Sequence, residues 1–107
     1  MNLDRSCILD DKKIWETKGM EVRNTLNNCG KSCWGASKCT EDCMKKEEGF
    51  SQQCAECFGK FSECGKHNCK WKCWFDTLAL GCIKCVNKYC VESFIKCSGL
   101  SSPIQTF

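Results

Sequence analysis

"CFGKFSEC" (Cys57–Cys64) and "CVESFIKC" (Cys90–Cys97) decide how the rest of this sequence is read. Each runs Cys, three residues, Phe, two residues, Cys, and each soon meets a glycine, Gly65 or Gly99. Steps of four and three bring side chains to one face of an α-helix. Phe61 and Phe94 therefore share a helical face with their flanking cysteines. The reading is structural: an aromatic ring packs beside cross-links that join neighbouring helices.

The same timing extends along the chain. Phe50, Cys54, Cys57, Phe61 and Cys64 step by 4, 3, 4 and 3, an unbroken apolar seam. Leu78, Cys82, Cys85 and Tyr89 form a second seam, and Cys90, Phe94 and Cys97 continue on a neighbouring one. Cys29/Cys33, Cys39/Cys43 and Cys69/Cys73 are four apart, as on adjacent helical turns. A single proline, Pro103, and few consecutive β-branched residues argue against a sheet. The expected fold is an all-α, disulfide-rich bundle of about five short helices, near 11–27, 31–47, 51–64, 69–75 and 77–97.

Expected boundaries follow from local chemistry. Ser51, Asn68 and Asp76 are candidate N-caps, because their side-chain oxygens can accept the first free backbone N–H groups. Gly49, Gly65 and Gly99 suit left-handed C-terminal caps. In the first helix Trp15, Val22 and Leu26 line one side, with Gly19 midway.

An internal duplication gives the organisation. "CGKSCW" (Cys29–Trp34) matches "CKWKCW" (Cys69–Trp74), and "CAEC" (Cys54–Cys57) matches "CIKC" (Cys82–Cys85). The sequence thus predicts two pseudo-repeated, disulfide-stapled helical hairpins, about 29–64 and 69–99, within a cysteine-rich domain at 29–99. Residues 1–28 form an N-terminal segment with a helix, tied down by Cys7, and 100–107 read as a tail. Expected rungs pair Cys39/Cys43 with Cys54/Cys57, and Cys69/Cys73 with Cys82/Cys85.

Composition sets the compartment and the energetics. Fourteen of 107 residues are cysteine, the signature of a disulfide scaffold, and the even count permits complete pairing. Disulfides persist in oxidising spaces, so a secreted or extracellular location is expected. "MNLDRSCILDDKK" has no apolar core of the kind a secretory signal needs, so no signal peptide is expected in this chain. Short helices are marginal alone, and cross-links stabilise them by restricting the unfolded chain. The net charge is +3, with nine basic and nine acidic residues in 1–53 against seven and four in 54–107. That excess falls short of a nucleic-acid footprint.

Other chemistries fit the sequence less well than this structural use of cysteine. Cys54, Cys57, Cys82 and Cys85 could supply four thiolates to zinc, but 24 residues separate the pairs and ten cysteines would be left without a role. "CAEC" lacks the strand–helix–strand context of a redox motif. His67 is the only histidine, and catalysis by Cys and His needs a free thiol within its reach. No catalytic residue, metal or cofactor is expected. In "KHNCKWKCWFD", Lys66, Lys70 and Lys72 alternate with Trp71, Trp74 and Phe75, the best candidate interaction surface. Trp74, the counterpart of Trp34, is read as core and Trp71 as exposed.

Two resemblances follow. Cys29-x3-Cys33 and Cys69-x3-Cys73 look like the vocabulary of mitochondrial import-space hairpins, without their symmetric two-pair layout. Across residues 29–99 the chain resembles small cysteine-rich helical secreted proteins of unicellular eukaryotes, including ciliate mating pheromones. That resemblance implies a disulfide-held helical bundle acting by self-association and receptor binding, and it carries no site residue across. The expected function is non-enzymatic, extracellular protein–protein association, most of all as a structural or self-assembling component such as a filament or matrix. The alternative is a secreted ligand or toxin acting on a receptor or membrane. Expected partners are proteins, with a membrane surface as a minor one and no nucleic acid.

Overall fold

A computed structural model describes residues 5–73 and 79–104. It is all-helical, with six helices and no strand among the described residues. In chain order they are α1 (Leu9–Lys18), α2 (Met20–Ser32), α3 (Ser37–Glu48), α4 (Gln52–Cys73), α5 (Leu80–Tyr89) and α6 (Val91–Ser98). The expected Asp76 cap, the start of the second seam at Leu78, and Trp74 and Phe75 lie outside the described residues.

Four boundaries differ from those expected. The helical region expected to end near 27 runs on to Ser32, and the helix expected from 31 begins at Ser37, because the turn falls at Trp34 and Gly35, both with positive φ. The first helix breaks at Gly19, whose φ of 51° ends α1 and begins α2. The helices expected at 51–64 and 69–75 are one, α4, so Gly65 is no C-cap and Asn68 no N-cap. An interior glycine costs a helix only about 1 kcal/mol, which bridges at Cys64 and Cys69 readily outweigh. Instead of capping, the Asn68 side-chain amide donates to the Cys64 carbonyl one turn back. The last expected helix divides at Cys90, where φ −121° and ψ −29° redirect the chain into α6. Ser51, Gly49 and Gly99 behave as expected. Ser51 Oγ accepts from the Cys54 N–H at 3.4 Å, and both glycines are left-handed C-caps.

α4 is the spine, packing against α3, α5 and α6. Gly59 permits the approach of α3: a Cβ there would lie 2.5 Å from the Ser37 carbonyl oxygen. Beside it, Thr40 Oγ1 and Ser62 Oγ are hydrogen-bonded at 3.1 Å. The core is an aromatic cluster centred on Phe58, which is wholly buried with Trp15, Phe50 and Phe94 around it. Its ring centroid lies 5.6 Å from Trp15, 4.8 Å from Phe50 and 5.2 Å from Phe94. Val22 and Leu26 complete the stripe expected with Trp15.

All fourteen cysteines are bridged. Cys57–Cys97 and Cys64–Cys90 join the two opening octapeptides to each other, running antiparallel on α4 and across α6. Phe61 and Phe94 meet edge-on between these bridges, centroids 5.4 Å apart. The motif occurs twice because its copies are each other's partners.

The second ladder is as expected: Cys69–Cys85 and Cys73–Cys82 staple α4 to α5. The first is not. Cys43 and Cys39 pair with Cys29 and Cys33, stapling α2 to α3, while Cys54 takes Cys7 and Cys57 takes Cys97. Two Cys-x3-Cys pairs on antiparallel neighbours match rung for rung, whereas Cys54 and Cys57 are three apart and turn to Cys7 and Cys97.

The segments before α1 and after α6 are knitted in where they are described, at residues 5–7 and 100–103. Arg5, Ser6 and Cys7 donate backbone N–H groups to the Lys96, Cys97 and Ser98 carbonyls, satisfying the open C-terminal turn of α6. α2 runs across position 28, so the N-terminal segment shares the core of the rest. Beyond Gly99, Leu100 and Pro103 are buried, and Arg23 donates to the Ser102 carbonyl while lying 4.2 Å from the Trp15 ring.

Candidate interaction surface

Each chemical alternative meets a specific geometry. The four cysteines of the zinc reading enter four different bridges, to Cys7, Cys97, Cys73 and Cys69. His67 is exposed, its Nε2 3.6 Å from Glu63 one turn back on α4. Among the described residues, Cys7, Asp11 and Cys54 bring three potential metal-ligating atoms within 4.8 Å. The two sulfurs are bonded to each other and offer no thiolate.

Asp11 is instead a joint. Its buried carboxylate accepts from the Ile8 N–H at 2.9 Å, the Ser51 N–H at 2.9 Å and the Ser51 hydroxyl at 2.6 Å. It thereby caps the starts of α1 and α4 together, where both helix dipoles favour negative charge. Asp11→Ala is expected to cost about 1–2 kcal/mol in denaturant unfolding, because two part-buried backbone donors at helix starts lose their partner. Asp11→Asn should recover part of that loss, and an alanine variant as stable as the parent would contradict the joint.

A second polar tie joins Glu48, at the end of α3, to Lys18 Nζ and Thr25 Oγ1, each at 2.7 Å. Burial pushes the Glu48 carboxyl up, but the hydrogen bonds from Lys18 and Thr25 and the Lys18 charge together hold it below its ordinary value. Lys18 is raised in turn, first by its hydrogen bond to Glu48.

Two indentations among the described residues are small. An indentation of about 190 Å³ lies between α2 and α3, lined by Thr25, Asn28, Ser32 and Glu47. Another, about 70 Å³, lies beside Phe61 and Phe94. Both fall below the roughly 300 Å³ at which small-molecule sites begin.

What the surface presents is aromatic and basic. Lys66, Lys70, Trp71 and Lys72 are all exposed, Trp71 by 84%. They do not share one face. At about 100° per residue, Lys66 and Lys70 lie together, Trp71 lies a quarter-turn on, and Lys72 lies across the helix. Lys70 Nζ is 5.9 Å from the Trp71 ring.

Sequence reasoning missed a second tryptophan. Trp34, whose counterpart had been read as core, is 73% exposed. It sits in the α2–α3 turn with φ +54°, a left-handed conformation that bulky residues rarely adopt. Cys33–Cys39 closes that turn, and Gly35 packs so tightly on α4 that a Cβ would lie 2.7 Å from Lys66 Cβ. The signal available was "CWG" (Cys33–Gly35), a glycine turn directly after a half-cystine.

No helix among the described residues is long and apolar enough to cross a membrane. Comparison with known proteins finds no matching family model, no matching curated protein and no matching solved structure.

Proposed function

We propose that this chain is a non-enzymatic, extracellular protein that works by protein–protein association, with further copies of itself as the first partner. The observation that carries the reading is Trp34. A tryptophan in the left-handed region costs roughly 1–2 kcal/mol, and here that cost accompanies an indole turned largely to solvent. Strain retained at an exposed aromatic fits presentation to a partner. Tryptophan is enriched among binding hot spots, and one held on cross-linked backbone loses little freedom on binding. Seven disulfides fit an oxidising, extracellular setting. A contact between this turn and a non-equivalent face of the next copy would propagate into a filament unless it closed into a ring.

The test is sedimentation velocity at rising concentration, comparing the parent with Trp34→Gly. The parent is expected to shift to larger species and the variant to remain monomeric. Relief of the left-handed strain should leave the variant no less stable, and up to about 1 kcal/mol more stable, in denaturant. A parent that stays monomeric throughout, or a variant that assembles equally well, refutes the reading.

A further inference from the structure

Of the fourteen half-cystines, Cys39 alone is exposed. In the other six bridges every half-cystine is buried or half-buried. Exchange begins when an outside thiolate reaches a bonded sulfur, so access decides which bridge opens first. Cys33–Cys39 also closes the shortest separation, six residues, between the end of α2 and the start of α3. With it open, Cys29–Cys43 still joins α2 to α3, and Thr40 and Ser62 still tie α3 to α4. The change is confined to one turn.

That turn carries Trp34. Its N–H donates to the Lys31 carbonyl at 3.1 Å, and the Gly35 N–H donates to the Gly30 carbonyl at 2.9 Å. This is the bonding of a Schellman cap, with a tryptophan at φ +54° in the place glycine ordinarily takes. Such a conformation persists only where the surrounding structure over-determines the backbone. Cys33 immediately precedes Trp34, and its bond to Cys39 fastens the last residues of α2 to the first turn of α3. Exposed disulfides, and those whose opening relieves strain, are the labile and regulatory ones.

We propose that Cys33–Cys39 is a thiol–disulfide exchange site whose substrate is a dithiol, and that opening it withdraws the Trp34 turn from binding. One thiolate of the dithiol attacks Cys39 Sγ and forms a mixed disulfide. The Cys33–Cys39 bond breaks, and its electron pair leaves on Cys33 Sγ, which takes a proton from water. The second thiolate of the dithiol then attacks its own bonded sulfur, closing a cyclic disulfide and releasing Cys39 to be protonated in turn. Two electrons pass to the protein, and the dithiol is oxidised. The effect on binding deepens the association assigned to Trp34 and rests on that reading. The closed turn presents its indole already ordered, whereas the open turn must be ordered on contact, which weakens association about tenfold.

The experiment treats the oxidised, monomeric protein with limiting dithiothreitol in native buffer, blocks thiols with iodoacetamide and maps them by peptide mass spectrometry. The first product is expected to carry label on Cys33 and Cys39 alone, with unchanged far-ultraviolet circular dichroism. In sedimentation velocity it should associate about tenfold more weakly than untreated protein. Reoxidation of an unblocked sample should restore the association. A variant with Cys33→Ala and Cys39→Ala should take no label under the same treatment and should assemble as weakly as the reduced parent. First opening at Cys73–Cys82 or any other bridge, simultaneous labelling of several bridges, or no label until denaturant is added would each overturn the exchange site. Selective opening that leaves association unchanged overturns its effect on Trp34. A parent that never assembles refutes the association reading, and the switch with it, while the labelling still decides the exchange site.

Discussion

Removing the Cys57–Cys97 bridge, by alanine at both positions, is expected to cost about 4 kcal/mol, while removing Cys33–Cys39 costs about 2. The difference comes from the unfolded chain. The first bridge closes 40 residues and the second six, and the entropy withheld from the unfolded state grows with the logarithm of that separation. Cys57 is also almost fully buried beside Phe58, so its loss disturbs the core, whereas Cys39 is exposed. Guanidinium unfolding of the two variants against the parent gives the comparison. A domain of this kind has about 5–15 kcal/mol in total, so the first loss takes a large fraction of it. If the six-residue bridge proves as costly as the long one, cross-link entropy is not what holds these helices together.

Phe58→Ala should cost a similar amount, about 3–5 kcal/mol, with every disulfide still closed. Phe58 is completely buried and touches three other rings, so truncation leaves a cavity that rigid, stapled helices cannot close. The near-ultraviolet circular dichroism of Trp15, whose ring leans on Phe58, should weaken in the same variant. Phe58→Leu keeps most of the volume and should cost about 1.5 kcal/mol or less. A Phe58→Ala loss under about 1 kcal/mol would mean that the bridges alone carry the fold and the aromatic cluster is incidental. The two experiments therefore separate covalent from packing contributions.

Phe58 marks the limit of what a single helical seam reveals. The 4–3 rhythm of Phe50, Cys54, Cys57, Phe61 and Cys64 marks the correct side of α4, but it steps over Phe58, which stands one residue beyond Cys57. On a helix buried on several sides, the apolar stripe is wider than one seam. Trp34 was missed for a different reason. Its match to Trp74 invited a core role, yet the glycine that follows it ends the hairpin turn and leaves the indole outside. Lys66, Lys70, Trp71 and Lys72 were legible as a group. Their disposition around the helix, rather than on one face, needed the continuity of α4 through Gly65.

Periodicity, cysteine count and glycine placement determined, without coordinates, that the chain is helical and disulfide-rich, with caps at Ser51, Gly49 and Gly99. These follow from local rules, in which the helical repeat and the backbone freedom of each residue act over a few neighbours. The Cys69/Cys73 ladder to Cys82/Cys85 was also legible, but the same short-range reasoning misassigned Cys39 and Cys43, because α3 has a neighbour on either side and spacing alone does not choose between them. Only the tertiary structure decided that Cys54 reaches Cys7, that Cys57 reaches Cys97, and that the two Cys-x3-Phe-x2-Cys segments clasp each other. Those bonds span 26 to 47 residues, and which distant faces meet depends on how α4 packs against all the others at once, a property that no short stretch encodes.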